Sequence, residues 1–530
     1  MDADRRPVHA ERNQPVIGRA HGRTKRPHPP ARPLSPVKSI VLIAAALALP
    51  PAPLACATDY HVAPTGNDTN DGLSPQTAFR SLVAACRATP AGKHVIRISA
   101  GEFEETESCV LAPGVSLTGA GIGKTVLRWK AVRSLDENPM KFDFSGFLIQ
   151  MKDSSDAAIS GLTIIGSLPD DKRAHGGIFA HEVRNVSIHD CEVKGLEFTG
   201  IWLSQATNSS VHHCRFDDCG HPSKQSCSGG LQAGDLTDCT IHHNFIRENR
   251  GAYGIKTWRT AWVNPTDWGF FATNKVKLTR VRFHDNDVKV RQQGGWGNGQ
   301  PNMAMELWNS EPVDCEIDRN RFNECLSLVE GGKAPKTIRV HHNLFLLEPG
   351  YSYAIEAGHH NLEIDHNVFR NGFYPIASFG GTIDNLRIHH NTFDGIEDHG
   401  LCNLPGVTNF SFTYNTVVVK KDMNVLNIGG GNKPGHASKV TITRNLFVKE
   451  GTPRCAAPIM KLHGGSTAET VALRDNAFWN WTPDGDTPLV ADPMLERATG
   501  GDYRLYLSAK SPVRKAGKGN FESDVARPGL

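Results

Sequence analysis

Apolar residues in this chain occur mostly in short alternating bursts that are separated by Gly, Asn and Asp. Alternation with a period of two is typical of strands, whereas helical repeats need longer runs with a period of about 3.6. One motif recurs within the bursts: an apolar residue, two polar residues, usually Asn, then any residue and an apolar one. Examples are "IHHNFI", "VHHNLF", "IDHNVF" and "IHHNTF". The pattern predicts many short strands joined by tight corners.

The spacing of this motif indicates a solenoid. Its fourth position is Cys in the first two copies and Asn afterwards, and the most regular copies, 24 residues apart, are at Asn343, Asn367, Asn391 and Asn415. A period of about 23–24 residues with occasional insertions, and two or three short strands per turn, predicts a parallel β-helix. We expect each Asn to adopt a left-handed backbone conformation at a corner and to bond the Asn one coil above.

These residues resemble the right-handed parallel β-helix proteins of the pectate-lyase-like superfamily. The stretch "YHVAPTGNDTNDGLSPQTAFRSLVAAC" looks like the N-terminal segment of many exported members, and "DPMLERATGGDYRLYLSAKSPVRKAG" looks like their closing segment. The resemblance implies an all-β, right-handed parallel β-helix of about 11–13 coils of roughly 23–24 residues. It implies a cap over residues 58–110, the solenoid over 111–482 and a closing segment over 483–530. It implies little about activity, since the superfamily includes lyases, hydrolases, epimerases, transferases and non-enzymes.

The first 57 residues differ from the rest. Residues 1–36 are rich in Arg, Pro and His without apolar periodicity, which predicts a disordered leader or a misassigned start. Residues 37–57 have the pattern of a signal peptide with cleavage near Ala57, so we expect export to the periplasm or the extracellular space. Cleavage would change the formal net charge from +3 to near −3, which argues against a nucleic-acid partner. The remaining chain contains no predicted membrane span.

Eleven of the twelve cysteines follow the expected cleavage point. In an exported protein we expect disulfides, with Cys86–Cys109 and Cys315–Cys325 as plausible pairs. Because eleven is an odd number, at least one cysteine cannot pair within the chain. The cluster Cys214, Cys219, Cys227 and Cys239 does not have the CxxC spacing of common zinc sites, so disulfides are the preferred interpretation there as well.

A column of outward-facing residues provides the candidate catalytic groups. When one short strand per coil is aligned on its inward aliphatic residue, the next residue points outward. The resulting column places Lys256, Glu306, Glu330 and Glu356 on consecutive rungs about 4.8 Å apart. Stacked like charges are destabilising, so three adjacent carboxylates are more typical of a site than of a passive surface.

The surroundings of this column favour a carbohydrate. Six of the nine tryptophans lie between Trp202 and Trp308, and exposed indoles suit the apolar faces of sugar rings. We expect contacts with a polysaccharide or oligosaccharide from Trp258, Arg259, Trp296, Trp308, Asn309, Lys333 and His359. The "HH" pairs, such as His212/His213 and His242/His243, recur with the coil period, so we interpret them as repeat consensus and not as metal ligands.

Three functions remain open at this point. In a glycoside hydrolase, Glu330 would be the central carboxyl and Glu306 or Glu356 its partner. Carboxyl groups on neighbouring rungs have the separation of retaining glycosidases, and carboxyl groups two rungs apart have that of inverting glycosidases. In a polysaccharide lyase, Lys256 would be the base and the glutamates would bind Ca²⁺, as the resemblance to pectate lyases and alginate lyases implies. The hydrolase needs no cofactor. The third function is non-enzymatic glycan binding, which predicts an aromatic groove without a proton-transfer pair.

Overall fold

The computed structural model describes most of the chain beyond the first 56 residues. The described ranges are 57–131, 146–169, 172–220, 229–247, 253–259, 275–290, 303–307, 309–328, 337–347, 353–397, 400–429, 434–498, 503 and 505–519. The chain divides into Met1–Ala55, which lies outside these ranges, and Cys56–Leu530. The predicted disordered leader and most of the predicted signal peptide therefore lie outside the described residues.

Three long sheets of parallel strands form the molecule, and successive strands of the chain pass from one sheet to the next. Sheet 1 contains the apolar start of each repeat motif. Its strands are Asp59–Val62, Val95–Ile98, Ser116–Thr118, Ala158–Ser160, Ser187–His189, Ser210–His212, Thr240–His242, Arg282–His284, Cys315–Asp318, Ile338–His341, Leu362–Asp365, Ile383–Asp384, Leu386–His389, Val407–Thr413, His436–Thr443 and Thr467–Arg474.

Sheet 2 contains the second apolar residue of each motif. Its strands are Gly101–Glu105, Thr125–Trp129, Thr163–Ile165, Glu192–Lys194, Arg215–Asp217, Phe245–Arg247, Asp287–Lys289, Arg321–Phe322, Leu344–Leu346, Val368–Arg370, Thr392–Ile396, Thr416–Val419, Leu446–Lys449, Ala477–Trp479 and Leu489–Val490.

Sheet 3 contains the candidate catalytic column. Its strands are Cys109–Leu111, Phe147–Lys152, Gly176–Arg184, Thr199–Thr207, Gly229–Thr237, Tyr253–Thr257, Val276–Thr279, Met303–Glu306, Ser310–Val313, Cys325–Leu328, Tyr353–Ala357, Tyr374–Ala377, Cys402–Leu404, Leu426–Ile428 and Met460–Leu462. This is the predicted parallel β-helix. Sheet 2 alone has 15 strands, so the solenoid has more coils than the 11–13 that the motif count predicts.

Further elements accompany both ends of the solenoid. The first four strands, from Asp59 to Leu111, already belong to the three sheets. The α-helix Leu82–Ala88 and the 3-10 helix Pro75–Thr77 interrupt this first part. At the other end, the antiparallel pair Leu495–Arg497 and Leu505–Leu507 and the helix Pro512–Lys515 follow the last sheet strand.

This closing segment packs on the side of the solenoid. Leu505, Leu507 and Val513 form one apolar cluster with outward residues of sheet 2, among them Val418 and Leu446. Arg497 adds charged contacts, because its guanidinium lies 2.8 Å from Asp394 and 2.5 Å from Glu450. The segment therefore covers the outer face of several coils.

Inward side chains of the three sheets fill one continuous core. Equivalent residues stack from coil to coil; for example, the rings of Phe345, Phe369 and Phe393 are stacked with centroids 4.8 and 4.6 Å apart. Such columns follow from a parallel register, because each strand repeats the side-chain pattern of its neighbour. Within the described ranges, no helix is long and apolar enough to cross a membrane.

The predicted asparagine ladder exists, but its backbone differs from the prediction. Nine consecutive asparagines, from Asn244 to Asn476, are joined by eight bonds, in which the side-chain amide of each donates to the Oδ1 of the next at 2.9 to 3.2 Å. The left-handed conformation belongs to the preceding residue; His243 and His342, for example, have φ of 53° and 56°. The Asn side chain points inward and bonds the backbone of neighbouring coils, as Asn343 does to the carbonyl of Ile317.

Several of the cysteines occupy similar corner positions. All ten cysteines in the described ranges are free and buried, so neither predicted pair, Cys86–Cys109 or Cys315–Cys325, is bonded in this structure. The Cys214 thiol lies 3.4 Å from the carbonyl of His212, and the Cys239 thiol lies 3.3 Å from that of Thr237. Thiols therefore serve here as small buried side chains beside corner carbonyls.

Candidate functional site

The outward column of sheet 3 contains most of the predicted charged groups, in the predicted order. Backbone pairing aligns Gln232 with Lys256, and Lys256 with Glu306. The same register continues through Ser327 to Glu356. Strand side chains alternate between faces, so these residues all leave the sheet on its outer side. The column therefore brings a cation and two carboxylates together on four rungs.

Lys256 and Glu306 form an ion pair between neighbouring rungs. Both side chains are nearly buried, with relative exposures of 4% and 8%. The Lys256 ammonium also lies 3.7 Å from the ring centroid of Tyr253 and 5.6 Å from that of Trp258, which are cation–π distances. The two charges should stay paired, because a buried charge without its partner would lower the stability of the folded protein.

The rung predicted for Glu330 is held by another residue. Ser327 holds the rung between Glu306 and Glu356, and Glu330 itself lies outside the described residues. The difference is a shift of three residues: Leu326 and Leu328 both fill the core, so Ser327, three residues before Glu330, takes the outward position. A shift by an odd number moves every side chain of a strand to the other face. Ser327 Oγ donates a hydrogen bond to Glu356 Oε2 at 2.8 Å.

A row of aromatic rings, which we call the aromatic patch, lies beside Glu356. It consists of Tyr353, Phe373, Tyr374 and Phe379. The rings of Tyr353 and Tyr374 are stacked with centroids 6.2 Å apart, and Phe379 meets Tyr353 edge-on at 5.2 Å. Phe379 is 55% exposed, and the other three are partly buried. The sequence analysis missed this patch because it considered tryptophan alone.

Most of the predicted sugar-binding residues have other positions. Trp258 and His359 are buried, and Asn309 is a buried corner residue with φ of 49°. These three are therefore corrected: they do not line an open groove. Arg259 is partly exposed and its Nε lies 2.7 Å from Asp235. The remaining predicted residues, Trp296, Trp308 and Lys333, lie outside the described residues.

Further polar residues extend the column beyond Glu356. The next rungs are Ala377, Asn403, Asn427 and Lys461. Asn427 Oδ1 lies 2.8 Å from His463 Nε2. Asn403 belongs to this outward column, whereas the preceding residue, Cys402, pairs with Ile376 and faces the core. Correct pairing shows a polar track that starts at Gln232 and runs for several coils.

Burial controls the ionisation of groups beside Glu356. It raises the pKa of Tyr353 to about 12, with smaller contributions from Tyr374, Cys325 and Glu356. It also raises the pKa of the Cys325 thiol well above its usual value, and the neighbouring carboxylates add to this shift. Both groups therefore remain protonated at neutral pH. The Tyr353 phenol thus keeps its proton.

The described column does not fit the calcium site that the lyase interpretation requires. Ca²⁺ takes about six to eight oxygen ligands, several of them carboxylates. Here the two carboxylates are separated by the Ser327 rung, and one of them is paired with the Lys256 ammonium. In the described part of the chain, the side-chain groups with metal-binding geometry lie on sheet 1, and none includes Glu306 or Glu356.

Comparisons with known proteins agree with this architecture. A family model described as "Right handed beta helix region" matches residues 147–417. A solved structure of the PL6 family alginate lyase AlyGC aligns with a TM-score of 0.54 at 13% identity over 89% of this chain, which spans 58% of that longer protein. A mannuronic acid specific polysaccharide family 6 lyase from human gut microbiota aligns with a TM-score of 0.49 at 13% identity, covering 81% of this chain and 91% of its own. No curated protein sequence matches significantly.

Proposed function

We propose that this chain, which belongs to the right-handed β-helix family, is an enzyme that hydrolyses glycosidic bonds of a polysaccharide or oligosaccharide. The supporting observation is the pair of nearly buried carboxyl groups, Glu306 and Glu356, on one outward column and two rungs apart. Two rungs correspond to roughly 9–10 Å between backbones, near the upper end of the carboxyl separation in inverting glycosidases. The pair therefore leaves room for a water molecule beside the sugar.

The contacts of the two glutamates suggest different roles. The Lys256 ammonium stabilises negative charge on Glu306, which suits the base that activates water. The Ser327 hydroxyl donates a hydrogen bond to one oxygen of Glu356, and we assign to this glutamate the role of the acid. Glu356 would then deliver its proton to the leaving oxygen of the glycosidic bond. The aromatic patch beside Glu356 would hold the sugar ring by stacking.

Elimination on a uronic-acid polymer is the second candidate, and two groups favour it. Lys256 is the one cation among the four rungs from Lys256 to Glu356, which is the residue type that the lyase interpretation assigns as base. The phenol of Tyr353 stays protonated and could protonate the leaving oxygen. Against this candidate, Lys256 is already paired with Glu306 and would have to lose that partner before taking a proton. We therefore place hydrolysis first.

We also propose that the enzyme is exported, because residues 37–57 have the pattern of a signal peptide. Expression of the full chain in a bacterial host, followed by N-terminal sequencing of the exported protein, tests this. A new N-terminus near Thr58 supports export. Retention of the intact chain in the cytoplasm contradicts it.

The reaction is tested by the products. Neutral and uronic-acid polysaccharides are incubated with the protein, and both reducing ends and the ultraviolet absorbance of unsaturated products are followed with and without a chelator. Hydrolysis gives reducing ends without absorbance, and elimination gives both. Glu306→Gln and Glu356→Gln should each abolish cleavage, whereas Glu104→Gln, which changes an exposed glutamate on sheet 2, should not.

The same screen tests the two alternatives directly. Absorbance that rises with the reducing ends would replace hydrolysis by elimination, and loss of activity with chelator would restore a calcium site. Binding of a polysaccharide without any cleavage would support the non-enzymatic function instead. Full activity in Glu356→Gln would exclude this glutamate as the acid.

A further inference from the structure

Histidines at the carboxyl ends of four neighbouring strands of sheet 1 form two stacked columns, which we call the histidine ladder. It consists of His189, His212, His213, His242, His243 and His284. The rings of His189, His212, His242 and His284 stack in one column with centroids 5.0, 4.8 and 4.7 Å apart, and His213 stacks on His243 at 4.9 Å. The repeat motif explains why the histidines recur, but it does not explain how their ring nitrogens face one another.

Within each histidine pair, a hydrogen bond joins the two Nδ1 atoms, so a metal ion bound by both nitrogens would replace the proton between them. The Nδ1 atoms of His242 and His243 are 2.8 Å apart, and the planes of the two rings are inclined at 84°. Two nitrogen ligands at about 2.0 Å from one metal ion and about 90° apart are about 2.8 Å from each other. The pair thus has the spacing of adjacent ligands in a square-planar or tetragonal site. Tetrahedral zinc ligands would be farther apart.

A third imidazole completes the group. One potential ligand atom each of His242, His243 and His284 lies within 4.8 Å of the other two. His284 Nδ1 lies 2.7 Å from Asp285 Oδ2, and a carboxylate on one ring nitrogen commonly orients a metal-binding histidine. All three histidines are partly exposed, so an ion in solution can reach them.

We propose that His242, His243 and His284 form a binding site for a divalent transition metal that favours tetragonal nitrogen coordination, Cu²⁺ or Ni²⁺. Imidazole is a good ligand for both ions, and Cu²⁺ has the higher affinity for most nitrogen sites. The site lies on sheet 1 and uses no residue of the proposed catalytic column.

Two other groups on sheet 1 have metal-binding geometry, but arginines already neutralise their acidic members. Asp318 is paired with Arg282 at 2.7 Å, and Asp365 is paired with Arg339 at 2.6 Å. A cation there would have to displace or approach a guanidinium group. A guanidinium group also lies beside the three histidines, since Arg319 is paired with Asp285 at 2.7 Å and its Nη2 lies 3.3 Å from His284 Nδ1. The three potential ligands themselves are all imidazoles and include no carboxylate, which is why we assign the metal to this group.

Binding of Cu²⁺ to the full-length protein at neutral pH tests the site, with electron paramagnetic resonance to count the coordinated nitrogens. We expect one tightly bound ion with hyperfine splitting from imidazole nitrogens. The double variant His242→Asn/His243→Asn should bind at least about 10-fold more weakly. His284→Asn, which leaves the facing pair intact, should lower the number of coordinated nitrogens by one.

A second histidine pair provides the matched control. The Nδ1 atoms of His389 and His390 are 3.0 Å apart, but His389 is flanked in its column by Asp365 and Thr413 and not by imidazoles. His389→Asn/His390→Asn should therefore leave Cu²⁺ affinity unchanged. Equal weakening in both double variants, or no Cu²⁺ binding by the unaltered protein, would overturn the assignment. Circular dichroism and polysaccharide cleavage show whether each variant is folded.

Discussion

The ammonium of Lys256 is paired with the carboxylate of Glu306 on the neighbouring rung of sheet 3, and both side chains are nearly buried. A buried pair of this kind contributes little net stability, because desolvation offsets the attraction. Removing one partner is strongly destabilising, because the other charge remains buried without a partner. The pair is therefore a sensitive point for both stability and the proposed reaction.

Lys256→Met should lower the free energy of unfolding by about 3–5 kcal/mol, because it leaves the Glu306 carboxylate buried without its cation. The double variant Lys256→Met/Glu306→Leu should recover most of this loss. Urea unfolding of the three proteins measures both effects. Arg128→Met is the control, because it breaks the solvent-exposed pair with Glu102 and should change stability far less. A loss of similar size in the control would contradict the importance of burial.

Ser327 should act as a positioning residue for Glu356. Ser327→Ala removes the 2.8 Å hydrogen bond to the carboxylate, and we expect kcat to fall by about 10-fold or more with little change in KM. Steady-state kinetics on the substrate found in the polysaccharide screen measures this.

Ser378→Ala is the matched control for Ser327→Ala. Ser378 is a buried serine that follows the next sheet 3 strand, and its hydroxyl makes no hydrogen bond within the described residues. This variant should retain the unaltered kcat. If Ser327→Ala raises KM and leaves kcat unchanged, Ser327 serves substrate binding and not the position of Glu356.

Sequence periodicity was sufficient for the fold and for part of the site. The register of Lys256, Glu306 and Glu356 follows from aligning one inward aliphatic residue per coil, and pairing confirms it for these three. It failed where the local pattern was ambiguous. In "CLSLVEGG", Leu326, Leu328 and Val329 all suit the core, and only the neighbouring strands decide which of them enters it.

Other features depended on tertiary context. The left-handed corner conformation was predicted for Asn because Asn tolerates positive φ. The residue before each Asn adopts it instead, since the Asn side chain points inward and its amide makes buried hydrogen bonds. Trp258 was expected to face a sugar, yet it is buried beside Lys256. Sequence alternation assigns a face to a residue but does not show which other segments cover that face.

The asparagine ladder should make a large contribution to stability. Asn343 donates through its amide to Asn367 and to the carbonyl of Ile317, and its Oδ1 accepts from Asn320. Asn343→Ala leaves these buried groups unsatisfied and should lower the free energy of unfolding by about 3 kcal/mol. Chemical denaturation measures this change.

An exposed asparagine pair provides the control for the ladder. Asn208 donates to Asn185 at 2.7 Å on the surface, and Asn208 has φ of 48°. Asn208→Gly keeps this backbone conformation accessible, so a change of only a few tenths of a kcal/mol is expected. Similar losses at Asn208 and Asn343 would mean that burial does not determine the contribution of the amide bonds.

The histidine ladder should make stability depend on pH between about 6.5 and 4. Burial, with the neighbouring imidazoles, lowers the pKa of His242 to about 3 and that of His212 to about 4. Below the unfolded value of about 6.5, the unfolded chain takes up protons that the folded chain does not. Stability should therefore fall as pH decreases through this window and show little dependence on these groups above it.

Thermal unfolding of metal-free protein at a series of pH values tests this dependence. His242→Asn should flatten the decline, whereas His61→Asn, which changes a histidine outside the ladder, should leave it unaltered. A decline that begins only below about pH 4 would instead point to carboxylates such as Asp365. Burial raises the pKa of Asp365, but hydrogen bonds from Arg339 and His366 outweigh burial and lower it.

The aromatic patch should contribute to substrate binding through Phe379, its most exposed member. Phe379→Ala removes a ring that can stack on a sugar, and we expect KM to rise about 5-fold to 10-fold with kcat nearly unchanged. Trp479→Ala is the control, because Trp479 is 41% exposed on sheet 2, on a different sheet from the patch. An equal rise in KM for both variants would mean nonspecific binding. An unchanged KM in Phe379→Ala would mean that the sugar binds elsewhere along the polar track, toward Asn403 and Asn427. In that case Asn427→Ala should raise KM.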